Sequence, residues 1–192
     1  MEQPEKINET AVNILKKSLE NSGIDTSKWG KGQAKTLADL QKEIEGGETL
    51  LVNNESGELL RKITVSDADI YFLSPEGKKY RLKEEKQVFK DGRERRRNLG
   101  ITVSEKMKPD EDPKDTMIRG IQEELGISGD IALTKVGMKD EIKTSPSYPG
   151  LQTQYVIYKF QALLNVEQFN PNGYIEEQEG LSTYFVWEEV SK

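Results

Sequence analysis

Ile7, Ala11, Ile14, Leu15 and Leu19 return every three or four positions among lysines and glutamates, and Gly23 closes the run. This spacing predicts an amphipathic helix. A second helix is predicted from Thr36, where Thr36 and Asp39 have capping-box spacing, Leu37, Leu40 and Ile44 form an apolar stripe, and Gly46-Gly47 end it. From residue 49 the pattern changes to short apolar runs between turn residues, predicting strands at Thr49–Val52, Leu59–Val65, Ile70–Leu73 and Tyr80–Phe89. Lys90-Asp91-Gly92-Arg93 reads as a hairpin with a two-residue turn, because Asp-Gly supplies the positive φ angles such a turn requires. After Ile101–Val103 comes one strong helix, then strands near Ile131–Val136, Tyr155–Leu164 and Tyr184–Trp187. The expected class is α/β, with a mixed or antiparallel sheet and few helices. Residues 1–48 form an N-terminal helical extension in this reading, and residues 49–192 the main domain.

Composition narrows the chemistry. The chain has no cysteine and no histidine, which excludes disulfides, thiol nucleophiles, histidine bases and ordinary zinc sites. Any metal must sit on oxygen ligands, which points to magnesium, manganese or calcium. The net charge of -6 argues against a dedicated nucleic-acid binder. No run approaches the roughly 18 apolar residues that span a bilayer, and the N-terminus lacks a signal-peptide pattern, so a cytoplasmic protein without a membrane partner is expected. WGKGQAKT ends in Lys35-Thr36 as a phosphate-binding loop does, but Trp29 and Ala34 stand where glycines are needed and no buried strand precedes it.

The chemistry concentrates in SEKMKPDEDPKDTMIRGIQEELGI. Asp112 is a plausible N-cap, Pro113 suits the first turn and Gly126 the C-terminal cap. Met117, Ile121 and Leu125 share one face, which should enter the core with Ile118. Arg119, Gly120, Glu123 and Glu124 share the other. Two adjacent carboxylates on a rigid helix suit a hard cation beside phosphate.

This segment resembles the box of the Nudix hydrolase family, G-x5-E-x7-R-E-U-x-E-E-x-G-U with U apolar. Glu111, Arg119, Ile121, Glu123, Glu124, Gly126 and Ile127 match in register, seven of nine defined positions. The resemblance implies a Nudix-type mixed β-sheet sandwiched by few α-helices, a magnesium or manganese cofactor, and hydrolysis of a diphosphate bond in a nucleoside diphosphate derivative or related phosphorylated small molecule. It also implies that Glu123 and Glu124 are metal ligands, that Glu111 and Arg119 brace the loop against the helix, and that Lys106 occupies the site of a lysine frequent in family loops. Two positions depart: Glu105 stands for the opening glycine and Gly120 for the glutamate after the arginine, which in the family supports metal binding and sometimes serves as base. Glycine inside a helix costs roughly 1 kcal/mol against alanine, so Gly120 suggests that space is needed there. Glu105 is the candidate to fill it and to return a carboxylate to the metal.

Outside the box, Arg93, Arg95, Arg96 and Arg97 are read either as a charged edge strand or as phosphate-binding groups. Alternation would put Arg93, Arg95 and Arg97 on one face. Tyr148 and Tyr155 either line a substrate pocket or pack, and Glu176, Glu177 and Glu179 either add a metal ligand or form a solvated turn. Two rivals to the hydrolase stand beside it: a Nudix-fold nucleotide-binding or regulatory protein with weakened catalysis, and an interaction module docking through its N-terminal helices. A homodimer is compatible with either.

Overall fold

The structure, a computed structural model, describes residues 9–190. Among these the chain forms, in order, α1 (Glu9–Asn21), α2 (Leu37–Glu45), β1 (Leu50–Asn53), β2 (Leu59–Leu73), β3 (Lys79–Phe89), β4 (Glu94–Arg95), β5 (Val103–Lys106), α3 (Pro113–Leu125), β6 (Ala132–Thr144), β7 (Gln152–Leu164), β8 (Tyr174–Gln178) and β9 (Leu181–Val190). The class is mixed α/β. Hydrogen-bonded neighbours follow the path β6-β7-β2-β3-β9-β8, with β1 and β5 also on β2 and β4 on β3. Residues group into two compact units, one taking the chain up to Thr64 with Asp140–Val156 and the other Val65–Lys139 with Ile157–Lys192. No described helix is long and apolar enough to cross a membrane.

In the first unit, α1 buries Leu15 and Leu19, while Ile14 of the expected stripe is 65% exposed; Ile7 lies outside the described residues. The α2 capping box forms as read, with Thr36 accepting from the Asp39 N–H and Asp39 accepting in return from Thr36. Trp29, Leu40, Tyr148 and Leu151 complete this core. Beneath it lies a buried ion pair. Glu43 accepts from Arg61 Nη2 at 2.6 Å, Lys35 Nζ at 2.7 Å and Thr49 Oγ1 at 3.1 Å, and the Arg61 guanidinium lies 4.8 Å from the centre of the Tyr148 ring.

In the second unit, one face of α3 packs Met117, Ile121 and Leu125 against Ala68, Ile70, Leu82, Val103, Phe160 and Phe185 from five strands. Asp112 caps the helix by accepting from the Lys114 N–H, and Gly126 takes the left-handed conformation (φ 66°) that ends it. Gly173 is fixed by contact, because a Cβ there would fall 1.9 Å from the Phe185 carbonyl oxygen.

Four readings are corrected. Leu59–Val65 and Ile70–Leu73 are one strand, β2, whose buried positions change from odd (Arg61, Ile63) to even (Ala68, Ile70, Phe72) at Val65-Ser66. The hairpin after β3 has three loop residues: Phe89 donates to the Arg93 carbonyl and Gly92 (φ 82°) supplies the single left-handed position. β4 is two residues long, so Arg96 and Arg97 lie in an irregular connection and not on an alternating strand. The acidic stretch at 176–177 is strand β8, not a turn.

The Glu43–Arg61 pair generates a stability expectation. Removing one member leaves the other charge buried, a loss of about 3–5 kcal/mol. With Trp187 replaced by phenylalanine, Trp29 fluorescence reports this core, and Glu43→Ala should lower its denaturation midpoint accordingly. An unchanged midpoint would mean the pair contributes nothing.

Candidate active site

The candidate site lies wholly in the second unit. It is organised by Arg119, which α3 presents opposite its apolar face. Its Nε and Nη2 donate to the two oxygens of Glu111 at 2.8 and 2.9 Å, Nη1 donates to Glu105 Oε1 at 2.9 Å and Glu123 Oε2 at 3.3 Å, and Nη2 also donates to the Lys106 carbonyl at 2.9 Å. One guanidinium thus ties strand β5, the loop after it and two turns of α3. Paired charge-assisted bonds of this kind are short and strong. Arg119 holds the Glu111 carboxyl down at about 2, burial opposing and the Lys108 N–H assisting. The loop itself is tight: Asp110 adopts φ 61°, a conformation aspartate tolerates better than most residues.

Glu105 does not point away from the helix. A Cβ built on Gly120 would lie 2.7 Å from Glu105 Cβ, 3.2 Å from its Cγ and 3.3 Å from Met117 Cε. The Glu105 side chain therefore crosses α3 where Gly120 leaves room. The residues at the two departures from the box pattern are thus neighbours in space. Glu105 cannot yield readily, because β5 is paired to β2 with Glu105 opposite Ser66.

The second centre of the site is Glu124, half-buried. Burial, the Glu176 carboxylate and that of Glu105 push its carboxyl up to about 8, Arg97 opposes, and Glu84 adds to the rise. Glu84, Glu124 and Glu176 line a cavity of about 150 Å³ together with Arg97, Thr102, Ser104 and Thr183. Glu84 reaches it from β3, where the register against β9 shifts between Glu84 and Lys86. Such a bulge re-aims a side chain. Arg97 donates through Nε and Nη2 to both Glu84 oxygens, the Nε bond being 2.9 Å.

Of the site residues read from the sequence, Glu105, Glu111, Arg119 and Glu123 are joined by hydrogen bonds, and Glu124 and Arg97 border the cavity. Lys106 contributes its carbonyl to Arg119, and alternation along β5 turns its side chain to the face opposite Glu105. Arg95 donates to Gln87. Tyr148 does not line a pocket. It is fully buried in the core of the first unit, in contact with Trp29, which is the packing alternative. Glu84 was missed. The available signal was a carboxylate two residues after Leu82 on the core-facing side of a strand, where charged residues seldom occur without a partner.

All the candidate ligands are carboxyl groups, the oxygen set that hard divalent cations take, and burial with the neighbouring carboxylates disfavours the charged form of Glu124, a penalty that a cation would offset. Among the described residues no three acidic side chains converge to hold an ion as they stand. Arg119 engages Glu105 and Glu123, and Arg97 engages Glu84, so convergence requires side-chain rotation.

No family profile matches the chain, and no curated protein does. It is similar to the solved structure of a C. elegans Ap4A hydrolase, at 14% identity and a TM-score of 0.38 over 66% of this chain and 80% of that one. A MutT/Nudix family protein from Enterococcus faecalis gives 12% identity and a TM-score of 0.48 over 82% and 52%. The Nudix domain of Shewanella oneidensis NrtR, solved with ADP-ribose, gives 10% and 0.40 over 67% and 73%. These are remote likenesses.

Two outcomes follow from this geometry. Because the folded Glu111 carboxyl lies below its ordinary value of 4.5, its contribution to stability is present above about pH 4.5 and is lost as pH falls toward 2. Arg119→Ala should cost roughly 2–4 kcal/mol at neutral pH, and the gap to wild type should narrow across that window in denaturant titrations. Gly120→Glu gains about 1 kcal/mol of helix propensity but overpacks Glu105 by about 1–3 kcal/mol, so alone it should destabilise. Adding Glu105→Gly should recover stability, with a coupling of about 1 kcal/mol or more in a double-mutant cycle. Additive effects would mean the two positions do not compete for space.

Proposed function

We propose that the chain is a magnesium- or manganese-dependent hydrolase of Nudix type, splitting a diphosphate bond in a nucleoside diphosphate derivative or related phosphorylated small molecule. The observation that carries this reading is the crossing of Glu105 over Gly120, with its carboxylate bonded to the same Arg119 that reaches Glu123. The residues assigned to hold the ion are Glu105, Glu123 and Glu124. A bound ion supplies charge neutralisation for the diphosphate and an acidified water. Arg119 holds Glu105 through Oε1 and leaves Oε2 for the ion, and Glu105 is also the group we assign as proton acceptor from the attacking water. Glu111 keeps Arg119 in place and touches no reactant. The surrounding apolar wall of Leu99, Ile101 and Phe185 limits water beside Glu124.

A binding protein with little turnover is the second reading, and one observation favours it: Arg119 already occupies Glu105 and Glu123.

A turnover screen of nucleoside diphosphate derivatives with magnesium and manganese, detecting phosphate products, tests the proposal. Glu123→Gln and Glu124→Gln should each weaken manganese binding by at least the roughly 10–100-fold that loss of an outer ligand partner costs. Glu105→Gln should lower turnover by about 10²–10⁴. Nucleotide binding without products selects the binder, and unchanged manganese affinity in both helix variants removes the metal site.

A further inference from the structure

Arg97 stands where its charge has two uses. Its guanidinium binds buried Glu84 of β3, and it feels the carboxylates of Glu124 on α3 and Glu176 on β8. These three elements and Arg97 enclose the 150 Å³ cavity. On its other side Arg97, again with Glu84, borders an open groove of about 570 Å³ whose walls carry Lys83 paired with Glu188, Arg96 paired with Glu85, Asn98 and Trp187. The Glu84–Arg97 pair is thus the partition between an acidic cavity and an open groove in which the other two cations already have carboxylate partners.

Arg97 is also placed to move. It lies in the irregular, exposed connection after β4, whereas Glu84, Glu124 and Glu176 sit on strands and a helix. Its side chain is 38% exposed and that of Glu84 only 2%. A dication entering the cavity would meet a guanidinium already compensating the same carboxylates, and two cations cannot share them without strong repulsion. The more exposed partner is the one with room to yield, and the groove it borders offers that room.

We propose that Arg97 is the resident counter-ion of the acidic cavity, bound to Glu84 and facing Glu124 and Glu176, until a divalent cation binds at Glu124, the residue this cavity shares with the ion ligands assigned above, and that the cation then displaces Arg97 into the groove to take a phosphate oxygen of the substrate. This rests on the hydrolase reading above. It also accounts for carboxylates that surround a cavity without converging, since the guanidinium holds Glu84 aside.

The test uses the full chain and three probes. With manganese alone, calorimetry should show Arg97→Ala binding the ion roughly tenfold more tightly than wild type, since a competing charge is gone, and Arg97→Lys should fall between them. Should Arg97→Ala not fold, Arg97→Lys and the wild-type measurement suffice. In wild type labelled at arginine, the Arg97 Nε–H resonance should lose its Glu84-bonded position on magnesium titration. Adding inorganic pyrophosphate to the magnesium form should shift it again, and Arg97→Ala should weaken pyrophosphate binding. Manganese affinity equal to or below wild type in the variants, or an Arg97 resonance that magnesium leaves unmoved, overturns the inference while the metal site stands. Absence of divalent-cation binding in wild type and variants alike overturns the hydrolase reading and this inference together.

Discussion

One guanidinium positions the strand, loop and helix that carry most of the candidate site. Arg119 supplies donors to three carboxylates and a carbonyl carried by β5, the following loop and α3. A planar fork with fixed donor directions can satisfy these acceptors in few arrangements, so it sets the spacing of strand and helix as well as neutralising charge. The apolar side of α3 is fixed independently by Met117, Ile121 and Leu125. The helix is therefore clamped on both sides, and the outward carboxylates inherit a rigid base.

That clamp explains why a glycine is tolerated in the middle of α3. A flexible residue in a free helix would weaken it, but here the turn is held by Arg119 on one flank and by the core on the other. The room at Gly120 is occupied by Glu105. Strand β5 supplies the carboxylate and α3 supplies the space it lies in.

Much of this was legible beforehand. Helix α3, both its caps and its buried face follow from spacing, since capping and helical periodicity are local properties of the chain, whereas the Glu111–Arg119 brace was implied only by the resemblance to the box. The capping box at Thr36 is local too. What escaped was non-local or had charged residues at inward positions. β2 was read as two strands because its buried positions change parity at Val65-Ser66 and Asp67 and Asp69 interrupt the apolar run. β8 was read as a turn because Glu176, facing the cavity, breaks the alternation expected of a strand. Glu84 escaped for the same reason. An acidic cavity built from inward carboxylates erases the hydrophobic pattern by which its strands are recognised. Tyr148, by contrast, stays open between pocket and core in the sequence because a tyrosine in a proline-rich loop fits both, and the structure gives the packing alternative.

The contact between Glu105 and Gly120 also bears on how such chains are found. A motif scored position by position charges this pair as two independent mismatches, one at the opening glycine and one after the arginine. In space the two are one feature, since any side chain at Gly120 would begin in the place that Glu105 fills. Chains that share the arrangement would be sought by a pattern that links the two positions, glutamate at the first only with glycine at the second.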